Sequence, residues 1–156
     1  MRQAIMTSPG VIKHHEIPEP GQLKDNEILL RIKRIGVCGS DIHVFHGKHP
    51  ATPYPVVQGH EYSAIVEAVG SKVTRVKKGM KATARPQLVC GECSPCLRGQ
   101  YNACQKLKVQ GFQAPGVAQD LFIVSEDRIV PFPDNMTMEQ GAMIEPAAVG
   151  AHSTSR

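Results

Sequence analysis

The chain has 156 residues, enough for one domain with a hydrophobic core and too few for two full ones. Its hydrophobic share of 41% and charged share of 21% are those of an ordinary globular domain, and no apolar run is long enough to cross a bilayer. A net charge of +4, basic residues no denser than Lys77, Lys78 and Lys81, and an aromatic share of 4% argue against a nucleic-acid surface made of a basic stripe and stacking rings.

The N-terminal stretch MRQAIMTSPGVIKHH has neither a signal-peptide apolar core nor an arginine-rich presequence, so a cytoplasmic location is expected. Residues 27–37 (EILLRIKRIGV) place Leu30 and Ile32 on one face and Arg31 and Lys33 on the other, the period of a half-buried strand. Residues 39–47 are short and polar and predict one helical turn after Cys38. Tyr62–Val69 alternates like the first strand and is followed by a Gly70-Ser71 turn. Residues 73–76, 81–88, Leu121–Ser125 and residues 128–130 are further predicted strands, while residues 90–110 form a long excursion that needs cross-links to hold a shape. Many short strands divided by Pro and Gly predict a mainly β fold, a small and partly open barrel. Near the end, Thr137-Met138-Glu139-Gln140 has capping-box spacing, and Pro146 suits the first turn of a helix continuing through residues 147–152. The sequence then stops at Arg156 without a closing strand, and it reads as a cut chain.

Four of the five cysteines fall within fifteen residues, as C-x2-C-x2-C-x7-C: Cys90, Cys93, Cys96 and Cys104. Without an export signal, clustered thiols read as metal ligands rather than as a disulfide framework. Two-residue gaps let the chain wrap one face of an ion and the later cysteine closes a tetrahedron, with Gly91 and Gly99 giving turn freedom and Pro95 stiffening one gap. All four corners are sulfur, so a zinc held there is structural. A ferredoxin-type run starts with the same two gaps, but its fourth cysteine follows sooner and precedes proline. Here the fourth cysteine precedes Gln105.

A second set is dispersed. Cys38 ends the first predicted strand in VCGSD, His60 and Glu61 form GHE ahead of Tyr62–Val69, and Glu145 sits in IEP at a helix start. A cysteine, a histidine and a carboxylate from separate segments are the ligand mix of a catalytic zinc with one open position. On residue type alone, a core cysteine and a surface His-Glu pair explain the same residues. His43, His46 and His49 recur at every third position, but one helical turn cannot present all three, so His46 and His49 read as surface or pocket-rim residues. His14 and His15 carry no signal.

Taken together, GVCGSDIHVFHG, PVVQGHE, the four-cysteine run with GQYNAC, and IEP-x3-G-x-H occur in an order that resembles the zinc-dependent medium-chain alcohol and polyol dehydrogenases, nearest the sorbitol and threonine dehydrogenase branch. The resemblance implies a GroES-like catalytic domain over residues 1–156. In it the structural-zinc lobe covers about residues 90–110, and residues 137–156 begin a connection to a cofactor domain. It implies that Cys38 and His60 are catalytic zinc ligands and that Glu61 or Glu145 completes the set. Asp41 is implied to orient the ligand histidine, and Ser40 and His43 to relay the alcohol proton. The implied cofactors are two Zn2+ ions and, in a full-length enzyme, NAD or NADP. The implied partner is a small alcohol or polyol, in a homo-oligomer, with no nucleic acid or membrane. The dinucleotide fingerprint is missing, since no G-x-G occurs, so an α/β Rossmann domain is expected to be absent and the isolated chain inactive. An apolar surface is then expected near residues 138–151. Two departures from the family pattern, Val117-Ala118-Gln119-Asp120 and Gly79-Met80, touch no expected ligand. The competing reading is a zinc-stabilised binding module without chemistry; a GroES-like co-chaperonin would have no use for Cys38, His60 and Glu145.

Overall fold

A computed structural model describes residues 1–155. Its first element is a hairpin, β1 (Arg2–Ser8) with β2 (Val11–Glu16), turned by Gly10 at φ 74°. The main sheet has five antiparallel strands in the order β8-β3-β4-β5-β9: β3 (Glu27–Ile35), β4 (Tyr62–Val69), β5 (Lys81–Ala84), β8 (Leu121–Ser125) and β9 (Ile129–Pro131). The short pair β6 (Gln87–Leu88) and β7 (Lys108–Val109) makes a two-stranded stem. Every pairing between these strands is antiparallel.

The predicted alternation of β3 holds: Ile28 and Leu30 are fully buried, Ile32 packs against them, and Arg31 and Lys33 face solvent. They share one core with Tyr62, Ala64, Val66, Val124 and Ile129. A second, smaller core joins Met6, Val44, Val56 and Phe112. It fastens the hairpin and helix α1 (Gly39–Phe45) to the segment that follows β7. Helices α2 (Ser94–Leu97), α3 (Met138–Ala142) and α4 (Ile144–Thr154) are short, and two 3-10 turns cover Tyr101–Ala103 and Glu126–Arg128. Thr137 caps α3 as the spacing predicts, its hydroxyl accepting from Gln140 N at 3.2 Å while Gln140 Oε1 accepts from Thr137 N at 2.8 Å. Helix α4 buries none of its residues, and Met143 and Val149 are exposed beside and on it.

The structure departs from the predicted elements in four places. The β1–β2 hairpin is additional. The strand expected over residues 81–88 is split into β5 and β6, because Pro86 has no N–H to continue a ladder. The strand expected over 128–130 starts one residue later, after the 3-10 turn. Residues 73–76 form no strand: the N–H groups of Thr74 and Arg75 both donate to Glu126 Oε1, at 2.6 and 2.7 Å, rather than to a neighbouring strand.

Those two backbone N–H groups hold the Glu126 carboxyl below its ordinary value of 4.5. A carboxylate with a depressed folded-state pKa adds stability that is present above the unfolded value and is lost as pH falls through the folded one. Glu126→Ala is therefore expected to lower the melting temperature at neutral pH, and thermal unfolding followed across pH should show the gap to wild type closing in acid, below the ordinary value of 4.5.

Candidate metal centres

The stem β6–β7 projects residues 89–107, and the four cysteines of that excursion converge without forming a disulfide. Sγ–Sγ distances are 3.4 Å (Cys93–Cys96), 3.6 Å (Cys90–Cys104) and 3.9 Å (Cys90–Cys96). A tetrahedron with zinc–sulfur bonds of about 2.3 Å has edges of about 3.8 Å, so the sulfurs stand where one ion would hold them. Gly91 and Gly99, at φ 74° and 75°, make the tight reversals that the two-residue gaps require. The electrostatics suit a cation. The backbone N–H of Gln105, helped by that of Cys96, brings the Cys93 thiol down to about 6. The N–H of Cys90, 3.4 Å from Cys104 Sγ, lowers Cys104 as well. Burial pushes Cys96 up to about 12, a thiol that only a bound cation would keep ionised near neutrality.

The dispersed set is assembled by two elements. Cys38 is the N-cap residue of α1, and His60 and Glu61 lead directly into β4. One donor atom from each of Cys38, His60 and Glu61 lies within 4.8 Å of the others, with His60 and Glu61 buried and Cys38 half-buried. Gly36, on the turn between β3 and Cys38, makes room: its N–H donates to Glu61 O at 2.7 Å, and a Cβ there would stand 2.5 Å from Glu61 Oε2. Asp41 is buried on α1 and organises the neighbourhood. Its Oδ2 accepts from Cys38 N at 3.0 Å, its Oδ1 accepts from Gln58 Nε2 at 3.2 Å, and Oδ1 lies 3.8 Å from His60 Nδ1. Burial raises the Asp41 carboxyl, opposed first by the nearby His60. Among the described residues His60 Nδ1 is buried with no hydrogen-bond partner, and the group it faces is the Asp41 carboxylate. With Nδ1 turned to Asp41, Nε2 is the nitrogen left to a ligand.

The other predicted residues fall around this group. Glu145, in the first turn of α4, is outside the cluster of donor atoms. It is half-buried; burial raises its carboxyl, His60 opposes that rise and Glu61 adds to it, so it faces the same centre electrostatically. Ser40 is half-buried and His43 exposed, both on α1. His46 is exposed and meets the Phe45 ring edge-on. His49 is half-buried, stacks on Phe112 at 4.8 Å and has Nδ1 2.7 Å from Thr52 Oγ1. Phe112 also lies 5.0 Å from the His60 ring. The sequence held no signal for Phe112 or for the buried Arg128, since neither belongs to a spaced motif. Gly36→Ala is expected to displace the Glu61 carboxylate and weaken metal uptake at this centre on the order of tenfold, leaving the four-cysteine centre filled; metal counts after dialysis check this.

The family described as alcohol dehydrogenase GroES-like domain matches residues 24–134. L-galactonate-5-dehydrogenase of Escherichia coli (strain K12) is 36% identical over 146 residues, covering 94% of this chain and 42% of that protein. An uncharacterized zinc-type alcohol dehydrogenase-like protein of the same organism is 36% identical over 159 residues, covering 97% of this chain and 45% of that protein. The crystal structure of galactitol-1-phosphate dehydrogenase from Escherichia coli superposes with a TM-score of 0.89 at 33% identity, covering 97% of this chain and 44% of that one. The chain thus spans under half the length of these relatives and shares the fold of the solved one: it belongs to the alcohol dehydrogenase GroES-like domain family of zinc-type alcohol and polyol dehydrogenases.

Proposed function

We propose that this chain is the catalytic-domain portion of a zinc-dependent, NAD(P)-linked alcohol or polyol dehydrogenase. On this reading residues 1–156 are one domain, residues 90–110 its structural-zinc lobe, and residues 137–156 the start of the connection to a nucleotide-binding domain. The observation that carries it is the convergence of one donor atom from each of Cys38, His60 and Glu61 within 4.8 Å of one another. Zinc held by these residues would act as a Lewis acid on a substrate hydroxyl and lower its pKa. Cys38 and Glu61 would supply a sulfur and a carboxylate to that zinc, and Asp41, 3.8 Å from His60 Nδ1, leaves Nε2 as the ligand nitrogen. Glu145, close enough to act on His60 and Glu61 without being grouped with them, is the alternative carboxylate for the same coordination position. Ser40 and His43 carry the hydroxyl proton outward, from a half-buried position to an exposed one along α1. Cys90, Cys93, Cys96 and Cys104 hold the structural zinc. The hydride acceptor, NAD or NADP, is bound by another part of the full-length enzyme, which would work as a soluble cytoplasmic homo-oligomer on a small alcohol or polyol.

Elemental analysis separates this reading from that of a binding module with no chemistry. Two zinc ions per chain are expected, and Cys38→Ser is expected to remove one while the lobe keeps the other. A single ion in the wild-type chain favours the module. The isolated chain is expected to give no detectable NAD(P)-dependent turnover of polyols, a result that robust rates in a standard absorbance assay would overturn.

A further inference from the structure

The exit of the four-cysteine lobe runs directly against the residues that lead into the second metal centre. Gly111 packs on Gly59 so closely that a Cβ would stand 3.1 Å from Gly59 N, and Gly59 itself takes φ 97°. One residue further on each segment, the Phe112 ring lies 5.0 Å from the His60 ring. Gln110, the first residue after β7, is fully buried, and so is Tyr62, the first residue of β4. The Tyr62 hydroxyl and Gln110 Nε2 are both buried without a hydrogen-bond partner. Two successive residues that leave the lobe, Gly111 and Phe112, thus lie against Gly59 and His60.

Arg128 holds this alignment. It is 8% exposed, has no carboxylate partner among the described residues, and donates from Nε to Arg85 O at 2.8 Å and from a terminal nitrogen to Gln110 Oε1 at 2.5 Å. Arg85 enters the stem of the lobe and Gln110 leaves it, so one guanidinium grips both sides of the stem. The bond also fixes which way the Gln110 amide points, since an arginine donor requires the oxygen. A buried arginine is costly unless its donors find acceptors, and the two acceptors recorded for this one lie on the two sides of the stem.

We infer that residues 110–112, clamped by Arg128, are positioning residues through which the four-cysteine lobe orients His60 for its metal. This rests on the reading of Cys38, His60 and Glu61 as a metal centre. Arg128→Met keeps the apolar stem of the side chain and loses the grip, whereas Phe112→Leu keeps an apolar side chain and loses the ring against His60. Gln110→Glu keeps an oxygen for Arg128 and serves as the conservative control.

The test uses the chain with zinc kept in the four-cysteine lobe and removed from the second centre, into which cobalt is titrated, because cobalt's visible absorption reports ligand geometry. Circular dichroism checks folding, and a zinc count checks the lobe. Arg128→Met and Phe112→Leu are expected to weaken cobalt binding about tenfold and to change the cobalt spectrum, with one zinc retained in the lobe and Gln110→Glu close to wild type. Wild-type affinity and spectrum in either folded variant overturn the inference. If Arg128→Met does not fold, Phe112→Leu alone decides. A wild-type chain that takes up no cobalt beyond the lobe's metal overturns the underlying reading, and the inference with it. Two metals in every protein with unchanged spectra overturn the inference alone.

Discussion

Much of this structure depends on one backbone-to-backbone contact, between residues 57–59 and residues 110–118. Gly116 N donates to Val57 O at 2.7 Å, Ala118 N to Gln58 O at 2.9 Å and Val117 N to Gly59 O at 3.1 Å. The approach tolerates no side chain, since a Cβ on Gly116 would stand 2.3 Å from Gln58 O. Because the segment from 57 to 59 runs straight into His60, whatever fixes residues 110–118 also fixes the buried histidine. The same strip reaches the hairpin, where Ala4 N donates to Ala118 O at 2.8 Å. A barrel strand, a metal-bearing lobe and the N-terminal hairpin are thereby anchored along one line of chain.

The sequence made the fold legible where burial is one-sided. Strand β3 alternates because one face meets the core and the other meets water, and that pattern survives without any tertiary knowledge. The β1–β2 hairpin was invisible for the opposite reason: all six residues of β2 are exposed, so nothing in VIKHHE had to alternate. Residues 73–76 carry branched side chains like a strand, yet the acceptor for the Thr74 and Arg75 N–H groups is the Glu126 side chain, a partner some fifty positions away that no local pattern announces.

The candidate centres divide the same way. The four cysteines are legible because a wrapping loop needs fixed short spacings, and spacing is a sequence property. Cys38, His60 and Glu61 have no such spacing, and on residue type alone they were indistinguishable from a core thiol and a surface loop. Family resemblance singled them out; the fold brings them together through the Gly36 turn and the N-terminus of α1. Arg128 was the hardest residue to foresee. An arginine in EDR reads as surface, and only the tertiary position of Arg85 and Gln110 turns it into a buried clamp.

The lobe has little of its own to keep it folded. Its helix α2 has four residues, Leu97 is 75% exposed, and the thiols Cys96 and Cys104 supply its buried apolar surface. With the proposed zinc, its order would be tied to the ion by mass action: a ligand that binds only the folded lobe stabilises it by about 1.4 kcal/mol for each tenfold rise in free metal above the dissociation constant. Through the contact line at residues 110–118, the reach of that dependence extends beyond the lobe. On the proposed reading, the geometry around His60 would follow the occupancy of the four-cysteine lobe by its metal.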